Sequence, residues 1–209
     1  KEGMNGTYTI GGTSPDYTTF TLAVADLTSK GICGPVVFNV RDGAYNEQFS
    51  ISSISGSSSV NTVTFQSQSG DSSKVNLNYS SGSGNNWVVQ LNGADWISFK
   101  KMTISRTGSN YNGVVIDIRS GANNNRFLNN QLLGSRYSST TNANAIVYSL
   151  TDLDTANWFK NNLMRYGSYA FYYMGINNTT LERSTIIDNN TMDSMSYSGI
   201  FVLYHDNAN

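Results

Sequence analysis

The apolar positions of this chain come in short bursts, not in long stripes. "VVFNV" from Val36, "TVTFQ" from Thr62, "WVVQL" from Trp87, "GVVIDI" from Gly113, "AIVYSL" from Ala145, "AFYYM" from Ala170 and "GIFVLY" from Gly199 start 26, 25, 26, 32, 25 and 29 residues apart. Each burst is rich in β-branched and aromatic residues and is bounded by Gly, Asn, Ser or Thr, which reads as a short strand between turns. A second set falls between them: "YNEQFSI", "VNLNY", "WISFKKMTI", then "RFLNNQLLG", "NWFKNNLMR" and "TIIDNNTMD". Two or three strands in every turn of roughly 25 to 30 residues is the period of a β-solenoid, where each turn buries its apolar face only by stacking on the next. The pattern predicts an all-β chain whose residues 35–209 form a parallel β-helix of about seven turns.

One segment breaks the pattern. In "SPDYTTFTLAVADLTSKG", Phe20, Ala23, Val24 and Leu27 fall at i, i+3, i+4 and i+7 and Gly31 follows as a stop, so residues 1–34 are expected to be an N-terminal segment carrying an amphipathic capping helix over the open first turn. No such cap is visible at the other end. "YHDNAN" breaks off where "GINNTT" of the turn before leads to a further strand, and the expectation is that the β-helix continues, or that a partner covers its last turn.

The later units share an asparagine after a large apolar residue: Asn130 after Phe127, Asn161 after Trp158, Asn190 after Ile187. Equivalent positions of stacked turns lie about 4.8 Å apart, close enough for a side-chain amide to bond the turns above and below. Asn130, Asn161 and Asn190 are therefore expected to form a structural ladder at an inward bend, with Met102 in the same place one turn earlier. Each such bond is worth about 1 kcal/mol net.

Composition sharpens this reading. The chain has 27 Asn, 29 Ser, 19 Thr and 19 Gly, with charged residues at only 13% and 13 Lys+Arg nearly cancelling 14 Asp+Glu. No basic stripe argues for nucleic acid, and no apolar run approaches the length of a membrane span. The single Cys33, in "GICGPVVF", cannot form an internal disulfide and is expected to be a small core residue.

Candidate chemistry is sparse. Asp152 and Asp154 in "TDLDTAN" offer two carboxylates where calcium takes about six to eight oxygens, so a turn role is expected and Ca2+ has little support. Asp117 and Arg119 read as a local ion pair. Arg126, Lys160 and Arg183 lie near successive bends, a weak basic strip that reads first as solvated surface. His205 and Asp206 have no nucleophile near them in sequence. No catalytic residue and no metal site is assigned.

The opening of the chain carries a resemblance. "SPDYTTFTLAV" followed by "GPVVFNVRDGAYNEQFSI", with Gly43, Tyr45 and Glu47 in a Gly-x-Tyr-x-Glu turn, resembles the start of pectin methylesterases and related right-handed parallel β-helices of the pectin-lyase-like superfamily, and is similar to bacterial cell-surface β-helix repeat proteins. That resemblance covers about a quarter of the chain and implies a right-handed helix and an extracellular or cell-surface location. It does not bring the esterase signature: the "DFIFG"-like strand with its paired aspartates is missing.

The feature that asks for a function is a run of apolar residues on both faces of one strand set. With Val114, Ile116, Ile146, Tyr148, Phe171, Tyr173, Ile200 and Val202 inward, alternation leaves Val115, Val147, Tyr172 and Phe201 outward, extended by Met174 and Leu203. Such a strip is either covered by a loop such as "LLGSRYSSTTNAN" or is a contact surface. The function expected is a non-catalytic extracellular module, a structural spacer or adhesin that binds carbohydrate or another surface protein. The alternative is a polysaccharide-active enzyme, of pectate lyase or pectin esterase type, whose catalytic residues are not recognisable here or lie past residue 209.

Overall fold

The computed structural model describes residues 2–80, 86–108 and 112–206. Its strands form three long parallel sheets that wind around one core. The first sheet runs Met4–Ile10, Ile32–Val40, Val63–Ser67, Ile97–Lys100, Arg126–Leu128, Trp158–Lys160, Ile186–Asp188. The second runs Gly43–Asn46, Val75–Ser80, Thr103–Thr107, Gln131–Leu133, Leu163–Arg165, Thr191–Asp193, and the third Phe49–Ser52, Val89–Asn92, Ile116–Arg119, Val147–Leu150, Tyr169–Met174, Ser198–Leu203. A two-stranded pair, Glu182–Arg183 with His205–Asp206, lies at a late bend. This is the parallel β-solenoid of about seven turns that the burst spacing implies. The strand Met4–Ile10 pairs with Ile32–Val40, so the first sheet already begins ahead of the helix.

The helix Phe20–Lys30 buries Phe20, Ala23, Val24 and Leu27. Its first N–H groups, which have no partner inside a helix, are held by the turn after the next strand. Glu47 accepts from the Phe20 N–H at 3.0 Å, the Thr21 N–H at 2.9 Å and the Thr21 hydroxyl at 2.8 Å. A carboxylate there also suits the positive end of the helix dipole. Tyr45, two residues earlier, meets the Phe20 ring edge-on at 5.3 Å and donates its hydroxyl to the Arg41 carbonyl at 2.7 Å. The Gly-x-Tyr-x-Glu segment, expected as a turn, is the strand Gly43–Asn46 with Glu47 just past it, and it is the clasp that seats the cap.

Inside the first sheet, Phe38, Phe65, Phe99, Phe127 and Phe159 stack turn upon turn, with ring centroids 4.8, 5.2, 5.5 and 5.3 Å apart. That stack fixes the register. Phe127 aligns with Phe159 and Ile187, and Arg126 with Trp158, so Trp158 faces outward and the asparagine ladder shifts by one residue in its middle unit. The Asn130 N–H donates to Asn162 Oδ1 at 3.0 Å and the Asn162 N–H to Asn190 Oδ1 at 2.9 Å. Their amides donate to the carbonyls of Phe99, Phe127 and Phe159 at 2.9, 2.9 and 2.7 Å. Met102 occupies the same place one turn earlier, its N–H reaching Asn130 Oδ1 at 3.2 Å. The expectation of Asn161 in the ladder is corrected. It sits in the exposed bend at φ 56, in line with Asn129 and Asn189 at φ 58 and 51, because the bend needs a left-handed residue just before the buried amide, and asparagine tolerates that conformation.

Cys33 is also corrected. Strict alternation along Ile32–Val40 buries Ile32, Val36 and Phe38 and turns Cys33 outward, where it is exposed with Sγ 3.1 Å from the Gly3 carbonyl.

Candidate functional site

Period-two alternation along the third sheet is interrupted at three of its strand entries. The N–H groups of Val115 and Ile116 both point at the Ile146 carbonyl, at 3.1 and 2.8 Å, and those of Val88 and Val89 both point at the Val115 carbonyl, at 3.3 and 3.1 Å. Tyr197 and Ser198 share the Ser168 carbonyl in the same way. Such a bulge inserts a residue and re-aims the side chains beyond it. Two consecutive side chains, Val115 with Ile116 and Ile146 with Val147, therefore enter the core. Val115 and Val147, expected outside, are fully buried, and Tyr148, expected inside, faces out.

Past the bulge, the register builds one outward column across six turns: Ser50, Gln90, Asp117, Tyr148, Tyr172, Phe201. Its lower half is a chain of hydrogen bonds. Ser50 Oγ donates to Gln90 Oε1 at 2.8 Å, Gln90 Nε2 donates to Asp117 Oδ2 at 2.8 Å, and the Arg119 guanidinium meets the same oxygen at 2.5 Å. Its upper half is aromatic: Tyr148 stacks with Tyr172 at 5.7 Å and Tyr172 with Phe201 at 4.6 Å. Beside it Arg119, Leu150, Met174 and Leu203 lie two residues on, Leu203 being 39% exposed. Of the predicted outward residues, Tyr172, Phe201, Met174 and Leu203 thus meet on one face.

Asp117 is the unusual member. It is 1% exposed, and its Oδ1 has no partner among the described residues. A cavity of about 290 Å³ opens against it, with Trp87, Val114, Ala143 and Tyr148 as apolar walls and Asn86, Gln90 and Arg119 as polar ones. Asn86 Oδ1 is likewise buried without a partner. The walls are tied together by backbone: Val114 N–H donates to the Asn86 carbonyl at 2.7 Å, Gly113 N–H to the Ala143 carbonyl at 2.6 Å, and Gln48 Nε2 to the Trp87 carbonyl at 2.5 Å. Behind them the buried Arg106 donates to Asn144 Oδ1 and the Asn112 carbonyl, both at 3.1 Å, fixing the short helical turn Asn142–Asn144 in place. Burial pushes the Asp117 carboxyl above its ordinary pKa, opposed by the Gln90 bond and the Arg119 charge, and the Tyr148 phenol is raised by burial and then by Asp117. A second depression of about 360 Å³, bordered by Leu150 and Asp152, shares Asp117, Arg119 and Tyr148 with the first.

The remaining sequence candidates have structural partners. Asp152 accepts the N–H groups of Ser120 and, at 3.0 Å, Leu153. Asp154 is buried, accepting from the Ala122 N–H at 2.9 Å and the Ser149 hydroxyl at 2.7 Å. No group of three or more metal-ligating side chains occurs among the described residues. Arg126 lies over the Trp158 ring at 4.5 Å, Lys160 pairs with Asp188 at 3.3 Å and Arg183 with Asp206 at 3.9 Å. His205 packs edge-on against Tyr173 at 5.2 Å.

Sequence reasoning saw Asp117 and Arg119 only as a local pair and missed Asn86, Trp87 and Gln90. The signal was present in the successive bursts "WVVQL" and "GVVIDI". Counted from their first residues, though, they place Gln90 beside Ile116, whereas the strand register pairs it with Asp117.

No family model matches the sequence, and no curated protein matches it. Solved structures do match its shape. A pectin methylesterase mutant in complex with a hexasaccharide superposes with a TM-score of 0.62 at 14% identity, over 90% of this chain and 55% of that one. The pectin methylesterase of Aspergillus niger gives 0.61 at 15%, over 91% and 67%, and that of Erwinia chrysanthemi 0.55 at 14%, over 88% and 55%. The chain therefore has the pectin-lyase-like parallel β-helix fold, and spans little more than half the length of two of these three enzymes.

Proposed function

We propose that this chain is an extracellular, cell-surface β-helix module that binds polysaccharide along the outer face of its third sheet. The observation that carries this is the unbroken outward column Ser50–Gln90–Asp117–Tyr148–Tyr172–Phe201. Polar groups at one end of it offer hydrogen bonds, and at the other the edges of the mutually stacked aromatic rings form an apolar strip for sugar rings to pack against. The hexasaccharide held by a protein of the same fold is in keeping with this.

The test is affinity electrophoresis of the chain through gels containing soluble polysaccharides. Tyr172→Ser with Phe201→Ser should lower affinity for the bound polymer roughly tenfold or more, since aromatic contacts are worth about 0.5–1.5 kcal/mol each beyond buried area, with the fold retained by circular dichroism. Unchanged retardation sinks the reading. Assembly with another surface protein that depends on the same two residues would transfer the surface to a protein partner.

A second reading, ester hydrolysis, is favoured by one observation: a buried carboxylate with a free oxygen beside a glutamine and an arginine. Asp117 would serve as nucleophile or general base, although its register partner on the next turn is Tyr148 and not a second carboxylate. Incubation with methyl-esterified pectin decides it. Methanol release that Asp117→Asn abolishes would establish the activity, and no release above background removes it.

A further inference from the structure

The cavity at Asp117 has a polarity that specifies its ligand more narrowly than the face as a whole does. Two of the residues lining it, Asp117 and Asn86, each carry a buried side-chain oxygen, Oδ1, that is unpartnered among the described residues, and both oxygens are acceptors. Leaving such groups dry is costly, so the occupant must donate hydrogen bonds. Arg119, at 2.5 Å from Asp117 Oδ2, opposes the upward push of burial on the carboxyl and so favours its accepting form, and it sets a positive charge in the wall. A cationic ligand would meet that guanidinium. A carboxylate ligand would set its own oxygens against two buried oxygens that have nothing to donate. Trp87 and Tyr148 supply flat apolar walls, and a volume of about 290 Å³ lies at the small end of ligand pockets.

We infer that the pocket formed by Asn86, Trp87, Asp117 and Tyr148 is a subsite for one neutral pyranose, two of whose hydroxyls donate to Asp117 Oδ1 and Asn86 Oδ1, and that it discriminates against uronates. This rests on the polysaccharide reading for the class of ligand but not on the aromatic column for its specificity. Asp117 acts as the specificity residue. Its charge-assisted bond rewards a hydroxyl donor, and its lone pairs repel an anion.

Isothermal titration of the whole chain with a neutral probe, xylohexaose or cellohexaose, and with hexagalacturonate tests it. At least one neutral hexasaccharide should bind about tenfold or more tighter than the hexauronate. In Asp117→Asn the amide oxygen stays with Gln90 and Arg119, so an N–H2 group replaces the free oxygen. That variant should bind the neutral probe roughly tenfold more weakly and should narrow or reverse the preference against hexagalacturonate, a change of specificity that loss of stability does not produce. If Asp117→Asn fails to fold, Asn86→Ala should weaken the neutral probe without affecting the uronate. Equal or tighter binding of hexagalacturonate overturns the inference. So does neutral binding that neither variant alters, or no binding of any of these probes. The two readings fail separately. Polymer binding lost with Tyr172 and Phe201 but insensitive to Asp117 and Asn86 removes only the subsite. Hexasaccharide binding that needs Asp117 but not the aromatic pair removes only the column.

Discussion

Two bends of the same solenoid turn the chain inward, and they handle buried polarity differently. Between the first and second sheets the turn is made on Asn130, Asn162 and Asn190, and each side-chain amide both accepts from and donates to backbone groups of the turn before it. Between the third and first sheets it begins the same way. Asn125 Oδ1 accepts from the Ile97 N–H at 2.9 Å and Asn157 Oδ1 from the Asn125 N–H at 2.8 Å. One turn on, in register, stands Thr185, and alongside it run Asp154, Glu182 and His205, with Glu182 Oε1 accepting the Asp154 N–H at 2.5 Å. Among the described residues Glu182 Oε2, Thr185 Oγ1 and both ring nitrogens of His205 have no partner. An amide carries donor and acceptor on one planar group and can repeat indefinitely, whereas a carboxylate only accepts, and burial without a cationic partner raises its pKa. A satisfied column is scaffolding. An unsatisfied one leaves buried polar atoms without partners among the described residues, as at the Asp117 cavity.

The largest effect is expected where satisfaction is complete. Asn162→Ala removes the acceptor for the Asn130 N–H and a side-chain donor to the Phe127 carbonyl, leaving the buried N–H unpaired and the carbonyl one bond short. At about 1–3 kcal/mol for the orphaned group, with the lost bond in addition, urea unfolding should show a loss of the order of 3 kcal/mol. A loss under about 1 kcal/mol would mean that the ladder is not what holds the bend.

How legible this was depended on whether a feature obeyed a regular period. The burst spacing, the helix with Phe20, Ala23, Val24 and Leu27, and the outward placing of Tyr172 and Phe201 all come from simple alternation or helical repeat, and could be read directly. Asn162 was lost to its neighbour because "KNNL" offers two adjacent asparagines. Only the Phe99–Phe127–Phe159 stack, a contact between residues 28 and 32 positions apart, decides which one points in. Val115 and Val147 were misplaced for a related reason. A bulge is a matter of two N–H groups finding one carbonyl a turn away, and no local pattern of apolar residues encodes it. The cavity depends on the strand register of the third sheet, and so Gln90 and Asn86 could not be found without it.

A smaller, pH-dependent effect is expected at the unsatisfied bend. Burial raises the Glu182 carboxyl to about 8 and Asp154 to about 6, and lowers His205 to about 4. A carboxyl with a raised native pKa holds its proton more tightly folded than unfolded. Glu182 therefore contributes most below about pH 4.5, its ordinary value, and its contribution is lost as pH rises toward 8. Asp154 acts in the same sense between about 3.8 and 6. His205 acts oppositely, destabilising as pH falls from 6.5 toward 4. Glu182→Gln keeps an acceptor for the Asp154 N–H and cannot ionise. Its stability should exceed that of the parent chain by of the order of 2 kcal/mol at pH 8 and by much less at pH 5. Denaturant midpoints across that range that run parallel for the two proteins would show that Glu182 does not carry the pH dependence.

The smallest effect separates the two asparagines of "KNNL" most cleanly. Asn161 is exposed at φ 56, and its Oδ1 accepts from Asn189 Nδ2, at 2.6 Å in solvent. If the position is chosen for its backbone, glycine should serve as well, since it adopts that φ without strain. Asn161→Gly is then expected within about 0.5 kcal/mol of the parent in urea unfolding. Asn161→Val, which forces a β-branched residue into the left-handed region, should lose roughly 1–2 kcal/mol. The opposite order, with Gly costly and Val tolerated, would mean that the exposed amide and not the left-handed bend is what the chain requires at 161. The outer row of asparagines would then have to be regarded as a second ladder in its own right.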